Sequence, residues 1–354
     1  MSDSQKPTLM IIDGHSLAFR AFYALPVDSF QNREGQHTNA IHGFLSMLIS
    51  LLQNEKPTHL AVAFDISRYS FRTREYPEYK GTRSETPVEF VGQIPLLEEA
   101  LKAMGLQTLS KEDFEADDIL ATLAHEGSEN GYRVLVVSGD RDAIQMVNDN
   151  VTLLYPNARG VSELKRYDRD AVVERYGVEP HQYPDVAALV GEASDNLIGV
   201  DKVGEKTAVK WVNLYGSLDE VLAHAEEIKG VVGQNLRDQI DRPVRNRKLN
   251  HLLTTVELPV SVGDLDRRPI DEAAVREVFD RLQFKTLLQR VMKIAAAERG
   301  DEAAAATSSD AVDDAAAIPA VRTMVDEELA KWLSTNSKDN TAPLGLTVTS
   351  VDGV

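Results

Sequence analysis

The sequence predicts an α/β protein with a mostly parallel central sheet flanked by helices, and three observations carry that reading. The runs Thr8-Leu9-Met10-Ile11-Ile12, Leu60-Ala61-Val62-Ala63-Phe64 and Val134-Leu135-Val136-Val137-Ser138-Gly139 have the length and composition of buried strands. Helical patterns at 39–54, 87–104 and 116–130 separate them, and strand alternating with helix indicates parallel pairing. Each run leads into an aspartate: Asp13, Asp65 and Asp140. Ligands of such sheets bind beyond the C-terminal strand ends, so the three carboxylates are expected to converge.

After about residue 170 the pattern changes to short helices and Gly-containing turns, at 170–176, 183–190, 205–215, 217–225, 231–239 and 243–252. The helix at 271–283 and the segment to 293 close the unit. The expected organisation is therefore a domain over 1–293, with an α/β core (1–170) and a helical subregion (170–293). Residues 294–320 are Ala-rich and acidic without apolar periodicity and read as a linker. A helix at 321–333 and a strand at 344–349 follow, too little for a domain, so 321–354 reads as the incomplete start of another and the sequence as a fragment of a longer chain.

The 354 residues suffice for a large core, and 27% charged with 43% hydrophobic residues is ordinary for a soluble globular protein. With no cysteine, disulfides, thiolate catalysis and cysteine-held zinc are excluded. The N-terminus lacks a signal-peptide pattern, and no run approaches the roughly 18 apolar residues of a membrane span. A soluble, cytoplasmic monomer without a membrane partner is expected. The net charge of −18, taken alone, argues against a polyanionic partner. Much of it, however, lies in the acidic stretch 301–328 and in a set of carboxylates with a different use.

Those carboxylates are Asp13, Asp65, Glu115, Asp117, Asp118, Asp140, Asp142, Glu192 and Asp195. Brought together they would repel one another unless cations neutralised them. Hard oxygen donors without cysteine suit Mg²⁺ or Mn²⁺. Two such ions about 4 Å apart are a common device for phosphodiester hydrolysis. His15, His37 and His42 show no metal-ligand spacing, and neither Ser16 nor Ser138 has a histidine partner, so no nucleophile is assigned.

The residues also carry a family resemblance. Ile11-Ile12-Asp13-Gly14-His15-Ser16-Leu17-Ala18-Phe19-Arg20-Ala21-Phe22-Tyr23-Ala24 resembles the opening strand and turn of the N-terminal 5′ nuclease domain of bacterial DNA polymerase I. Phe64-Asp65 with Ser70-Phe71-Arg72 and Tyr79-Lys80-Gly81-Thr82-Arg83 is similar to its second motif. Glu115-Ala116-Asp117-Asp118, Gly139-Asp140-Arg141-Asp142, and Ser194-Asp195-Asn196 with Gly204-Glu205-Lys206-Thr207-Ala208 are similar to the next three. Five motifs in order are far more specific than any one, and the resemblance holds over about 285 residues. The resemblance implies a PIN-like 5′ nuclease fold with a helical arch and a C-terminal helix-hairpin-helix subdomain. It also implies metal-dependent cleavage of branched, nicked or 5′-flapped DNA, and exonuclease-like and polymerase domains farther along the parent chain. Two positions depart from the family: Glu192 stands where Asp is usual, and Lys202 stands where Gly is usual.

The same resemblance turns 66–87 into the arch. There Arg68, Arg72, Arg74, Lys80 and Arg83 alternate with Tyr69, Phe71, Tyr76 and Tyr79, bases for phosphates and rings for unpaired bases. Lys80 and Arg83 are the expected contacts to the scissile phosphate, supported by Arg72, with Arg20 and Tyr79 as further DNA contacts. The alternative is a solvated charged loop, since Glu75, Glu78 and Glu85 dilute the patch. Lys202, Gly204, Lys206 and Thr207 lie where a helix N-terminus would hold a duplex phosphate, with K⁺ as a further expected ion. Arg237, Arg242, Arg245, Arg247 and Lys248 are phosphate contacts or salt-bridge partners.

Overall fold

The structure is a computed structural model that describes residues 6–83, 85–157 and 164–301. The helix expected at 321–333 and the strand at 344–349 lie outside the described residues.

Six strands form the main sheet: β1 (Thr8–Asp13), β2 (His59–Ala63), β3 (Gln107–Leu109), β4 (Arg133–Val137), β5 (Val151–Pro156) and β6 (Leu164–Tyr167). Their order is β3-β2-β1-β4-β5-β6, parallel except for the β5–β6 pair. The direction of strand succession reverses between β1 and β4, which opens a crevice at their C-terminal ends. Alternation along β1 feeds both faces. Met10 and Ile12 enter one core and Leu9 and Ile11 the other, so all six residues of the strand are buried.

The first face is covered by α1 (Gly14–Ala24), α2 (Asn39–Glu55) and, after the short α3 (Phe71–Glu75) and α4 (Val88–Val91), by α5 (Gln93–Ala103). Helices α1 and α2 approach closely at Gly43, where a Cβ would lie 2.8 Å from that of Ala21. Helix α6 (Ala116–Glu129) covers the other face. The helical part comprises α7 (Arg169–Tyr176), α8 (Tyr183–Val190), the two-residue strands β7 (Gly191–Glu192) and β8 (Leu197–Ile198), α9 (Glu205–Tyr215), α10 (Leu218–Ala223), α11 (Gly230–Asp238) and α12 (Asp241–Leu249). Its own core gathers around Trp211, Val212 and Leu236. The chain then returns to the first face, where α13 (Glu272–Arg281) packs on α5 and α14 (Lys285–Glu298) on α2. Among the described residues no helix is long and apolar enough to cross a membrane.

Four features differ from the sequence expectation. Three more strands join the sheet: β5 has the same apolar character as its neighbours but ends at Pro156 rather than a carboxylate, β3 spans three residues, and β6 exposes Lys165 and Arg166. The helix expected over 87–104 is interrupted at Gly92, which ends α4 and starts α5. In the 66–87 stretch the helical portion before α4 is only the five residues of α3. Finally, α14 continues through Glu298 with Ile294, Ala295 and Ala296 buried, so the start of the expected linker is helix. Alanine is the strongest helix former, and here one face of the Ala-rich segment meets the core.

Phe279 of α13 is fully buried in the first core. Replacing Phe279 with Ala is expected to cost about 3–5 kcal/mol in equilibrium urea unfolding, the range for a phenyl ring lost from a packed interior.

Candidate metal centre

The strand ends bring the carboxylates together. Asp13 closes β1 and caps α1, its carboxylate accepting from Ser16 N at 2.9 Å and Ser138 Oγ at 3.1 Å. Asp65, just beyond β2, accepts from Ala116 N at 2.7 Å and so ties that strand end to the start of α6. The first turn of α6, where a helix favours anions, carries Asp117, with Glu115 as its cap. Beyond β4, Asp140 N donates to Ser138 Oγ at 3.1 Å and Asp142 N to Asp140 Oδ1 at 2.9 Å. Ser138 is fully buried and orients two of these segments, a positioning role that no sequence motif had assigned to it. Its place between an apolar run and Gly139-Asp140 was the available signal. Glu192 lies on β7 and Asp195 in the single 3₁₀ turn that links β7 to β8.

Crowding changes the acids. Burial, then the nearby charges of Asp65 and Asp140, push Asp13 up to about 7. Burial, then Asp13 and Asp140, raise Asp117 well above the carboxylate range. Burial, then Glu192 and Asp140, do the same to Asp142. Glu192 rises to about 7 through burial, Asp140 and Asp195. Asp140 thus belongs to two overlapping groups, one with Asp13, Asp65 and Asp117, the other with Asp142, Glu192 and Asp195. Oxygens of Asp142, Glu192 and Asp195 lie within 4.8 Å of one another, so the extra methylene of Glu192 does not remove it from the cluster. One oxygen each of Asp117 and Asp142 is buried without a hydrogen-bond partner. Such an oxygen is costly unless a cation meets it. The donor set is all oxygen, and the residues fit a hard divalent cation such as Mg²⁺ or Mn²⁺.

Other expected site residues have different engagements. Asp118 is fully buried and accepts four hydrogen bonds: from Arg72 Nη1 at 2.7 Å and Nη2 at 2.8 Å, Leu253 N at 3.0 Å and Glu115 N at 3.2 Å. These fill its lone-pair directions, so the carboxylate expected to bind metal is instead locked in an ion pair. Arg72, expected near the scissile phosphate, is 1% exposed and also donates to the carbonyls of Leu249 (2.7 Å) and His251 (2.8 Å). Tyr79 is buried against Leu197 and Leu249, with its hydroxyl 3.3 Å from Glu115 Oε2. Arg20 donates to Gly139 O at 2.6 Å and Tyr155 OH at 3.3 Å, lining the wall of the site. A Cβ on Gly139 would lie 2.1 Å from Arg20 Nε, so a larger residue there would displace the Arg20 side chain from its place on the wall.

Lys80 and Arg83 do stand at the rim. Lys80 Nζ is 2.8 Å from Glu115 Oε2 and 4.0 Å from Asp195 Oδ2, and Arg83 Nη2 is 2.8 Å from Asp195 Oδ1. Burial alone would raise Glu115, yet the cations Lys80 and Arg72 outweigh it and hold this carboxyl below its usual range. The rim segment is also fastened by backbone: Lys80 N donates to Asp195 O at 3.0 Å, and Asn196 Nδ2 to Glu78 O at 2.8 Å.

Farther out, Lys202, Gly204 and Lys206 are exposed and Thr207 half-buried at the start of α9. Lys202 has φ +65°, the left-handed conformation that glycine adopts freely. A lysine there costs about 1 kcal/mol. The basic residues near α12 have protein partners. Arg242 pairs with Asp201 at 2.9 Å and Arg247 with Asp185 at 2.6 Å. Lys248 pairs with Glu75, Arg237 binds the Ala225 carbonyl at 2.6 Å, and Arg245 lies 4.3 Å from the Tyr76 ring centre.

The chain is similar to known proteins. Residues 8–177 match the family described as "5'-3' exonuclease, N-terminal resolvase-like domain", and residues 178–273 match "5'-3' exonuclease, C-terminal SAM fold". DNA polymerase I of Mycobacterium tuberculosis is 52% identical over 300 residues, covering 85% of this chain and 33% of the relative. DNA polymerase I of Bacillus subtilis is 36% identical over 312 residues, 88% of this chain and 34% of the relative. The chain spans about a third of the length of the curated relatives it matches. A solved structure of T5 5'-exonuclease with bound divalent zinc ions has the same fold. Its TM-score is 0.59 at 22% identity, covering 80% of this chain and 99% of that one.

Two outcomes follow from the electrostatics. Arg72→Met leaves Asp118 buried and unpaired and should cost about 3–5 kcal/mol in urea unfolding, whereas the rim variant Arg83→Met should cost under about 1 kcal/mol. Asp13 and Glu192 hold protons in the native state that the unfolded chain releases. The stability they contribute without metal is therefore full below the ordinary carboxylate pKa and lost as pH rises through about 7. A saturating divalent cation binds the ionised form. Mg²⁺ should therefore raise Tm by about 5–10 °C at pH 8 and by less than about half that at pH 5.5, measured by differential scanning fluorimetry.

Proposed function

Because residues 8–273 belong to the 5′-3′ exonuclease family and are homologous to the 5′ nuclease part of DNA polymerase I, we propose that the chain hydrolyses DNA phosphodiesters near 5′ single-strand/duplex junctions. Flapped, nicked and branched DNA are the substrates, and removal of flaps and RNA primers during replication and repair is the role. The observation that carries this reading is the pair of overlapping carboxylate groups joined at Asp140, with one buried, partnerless oxygen in each group. Asp13, Asp65, Asp117 and Asp140 would hold one divalent ion and Asp140, Asp142, Glu192 and Asp195 the other, with Glu115 at their edge. Bound Mg²⁺ or Mn²⁺ supplies activation of a water and neutralisation of charge on the attacking and leaving oxygens.

The chain's own groups supply position. Lys80 and Arg83 exchange their carboxylate partners for the scissile phosphate, where their charge favours the transition state. Residues 66–87 act as the arch for the unpaired strand, with the 80%-exposed Tyr69 available for stacking. The turn before α9 acts as the hairpin of a helix-hairpin-helix that grips duplex backbone, with K⁺ as an accessory ion. There Gly204, Thr207 and the amides of the α9 N-terminus meet phosphate, and Lys202 and Lys206 add charge. The parent chain continues into exonuclease-like and polymerase domains and works as a cytoplasmic monomer.

A labelled 5′-flap duplex incubated with Mg²⁺ or Mn²⁺, beside a chelator control, tests the proposal. Cleavage near the junction is expected, with Asp140→Ala slower by at least about 100-fold, or roughly 2.7 kcal/mol of barrier. Glu192→Ala should raise the metal concentration needed for half-maximal activity by about 10–100-fold. An uncut flap with both metals overturns the assignment, and preference for an all-RNA flap over the DNA flap would redirect it to a ribonuclease.

A further inference from the structure

The cationic side chains bordering the carboxylate cluster are not equivalent. Arg72 is consumed by Asp118 and two carbonyls, Arg20 by Gly139 O and Tyr155, Lys80 by Glu115 and Arg83 by Asp195. Arg141 differs. It is exposed, and its guanidinium makes no hydrogen bond or ion pair to any described residue.

Its backbone, by contrast, is fixed. Ile144 N donates to Arg141 O at 3.0 Å, and the flanking Asp142 N donates to Asp140 Oδ1 at 2.9 Å. The side chain therefore leaves from a rigid turn between two carboxylates of the metal centre. Its electrostatic neighbours are Tyr183 of α8, Tyr155 of β5, the Glu192 carboxylate and Tyr176 of α7. The tyrosines lie on the β5 side of β4 and Glu192 stands in the cluster with Asp142 and Asp195, whereas the segment bearing Lys80 and Arg83 follows β2, on the far side of β1. Among the described residues Arg141 is thus a cation with no side-chain hydrogen bond or ion pair, on the tyrosine-lined flank of the cluster rather than the flank of residues 66–87.

The geometry points to Arg141 as a positioning residue that binds a phosphodiester next to the scissile one, on the flank away from residues 66–87. A strand crossing the centre carries phosphates to both flanks. Lys80 and Arg83 serve one, and without Arg141 the other would meet Glu192, tyrosines and an Arg20 whose guanidinium is already bonded to Gly139 O and Tyr155. Arginine suits the task, since its planar fork can grip two phosphate oxygens, and such a contact fixes register without reading bases. Arg141 does not touch the reacting atoms, so it acts on binding and alignment rather than on bond cleavage.

This inference rests on the reading of the chain as a DNA nuclease, and the test separates the two. Binding of a fluorescein-labelled 5′-flap duplex is followed by anisotropy over about 50–200 mM KCl, with Ca²⁺ in place of Mg²⁺. Arg141→Ala should raise Kd about 5–20-fold at the lowest salt and reduce the slope of log Kd against log salt by about 0.7–0.9, the signature of one lost phosphate contact. Arg141→Lys should keep the slope and recover part of the affinity. With Mg²⁺ and saturating DNA, the single-turnover rate of Arg141→Ala should stay within about 3-fold of the unsubstituted chain. Its Tm should not change. An unchanged Kd and slope overturn the assignment, as does a lowered Tm with the slope intact, which would mark Arg141 as structural. If the unsubstituted chain fails to bind the flap, the nuclease reading itself falls.

Discussion

One buried ion pair holds the parts of the molecule in register. Arg72 of α3 grips Asp118 of α6 and also takes one carbonyl at the end of α12 and one just beyond it, while Asp118 receives the amide of Leu253. The segment leaving β2, a helix of the sheet core and the end of the helical subregion therefore meet at a single point. Two charges taken out of water are tolerated only with near-complete hydrogen bonding, and this pair has it. The same contact aims the site. With Asp118 turned inward on the first turn of α6, Asp117 faces the acids at the strand ends and Glu115 faces Lys80 at the rim.

Around that anchor the acids divide into two electrostatic kinds. Glu115 sits among Lys80, Arg72, Ser70 and Tyr79 and is held as an anion. Asp13, Asp117, Asp142 and Glu192 face mainly one another and resist ionisation. A cluster of the second kind beside a rim of the first combines a strong demand for added positive charge with side chains already placed to receive an anion. That pairing fits phosphoryl chemistry better than proton transfer between two acids, which needs far fewer carboxylates.

The part of the site on the strands was legible in sequence for a physical reason. Parallel strands covered on both faces are continuous apolar runs, and whatever follows them must lie at one edge of the sheet. Asp13, Asp65 and Asp140 could be placed together on that ground alone. Arg72 and Tyr79 could not. Among arginines, lysines and tyrosines they read as solvent-facing cation and ring, and only tertiary packing buries them under α6 and α12. Strand β5 escapes that rule because its apolar run ends at Pro156 instead of a carboxylate. Lys202 was visible as a departure from glycine, but its left-handed backbone was not.

The return of α13 and α14 to the first sheet face has a consequence for how the protein is made. Arg290 of α14 hydrogen-bonds the hydroxyls of Ser46 and Ser50 on α2, across 244 and 240 residues of sequence. During vectorial synthesis the earliest helices therefore wait, with an apolar face uncovered, until nearly 300 residues have been translated. Contacts of such long sequence separation slow folding and leave intermediates exposed to aggregation. The carboxylate cluster waits as well, because Glu192 and Asp195 emerge long after Asp13. A partly translated domain thus lacks both a closed core and a complete set of acids, and on the proposed nuclease reading the ability to cut DNA waits until α14 has emerged.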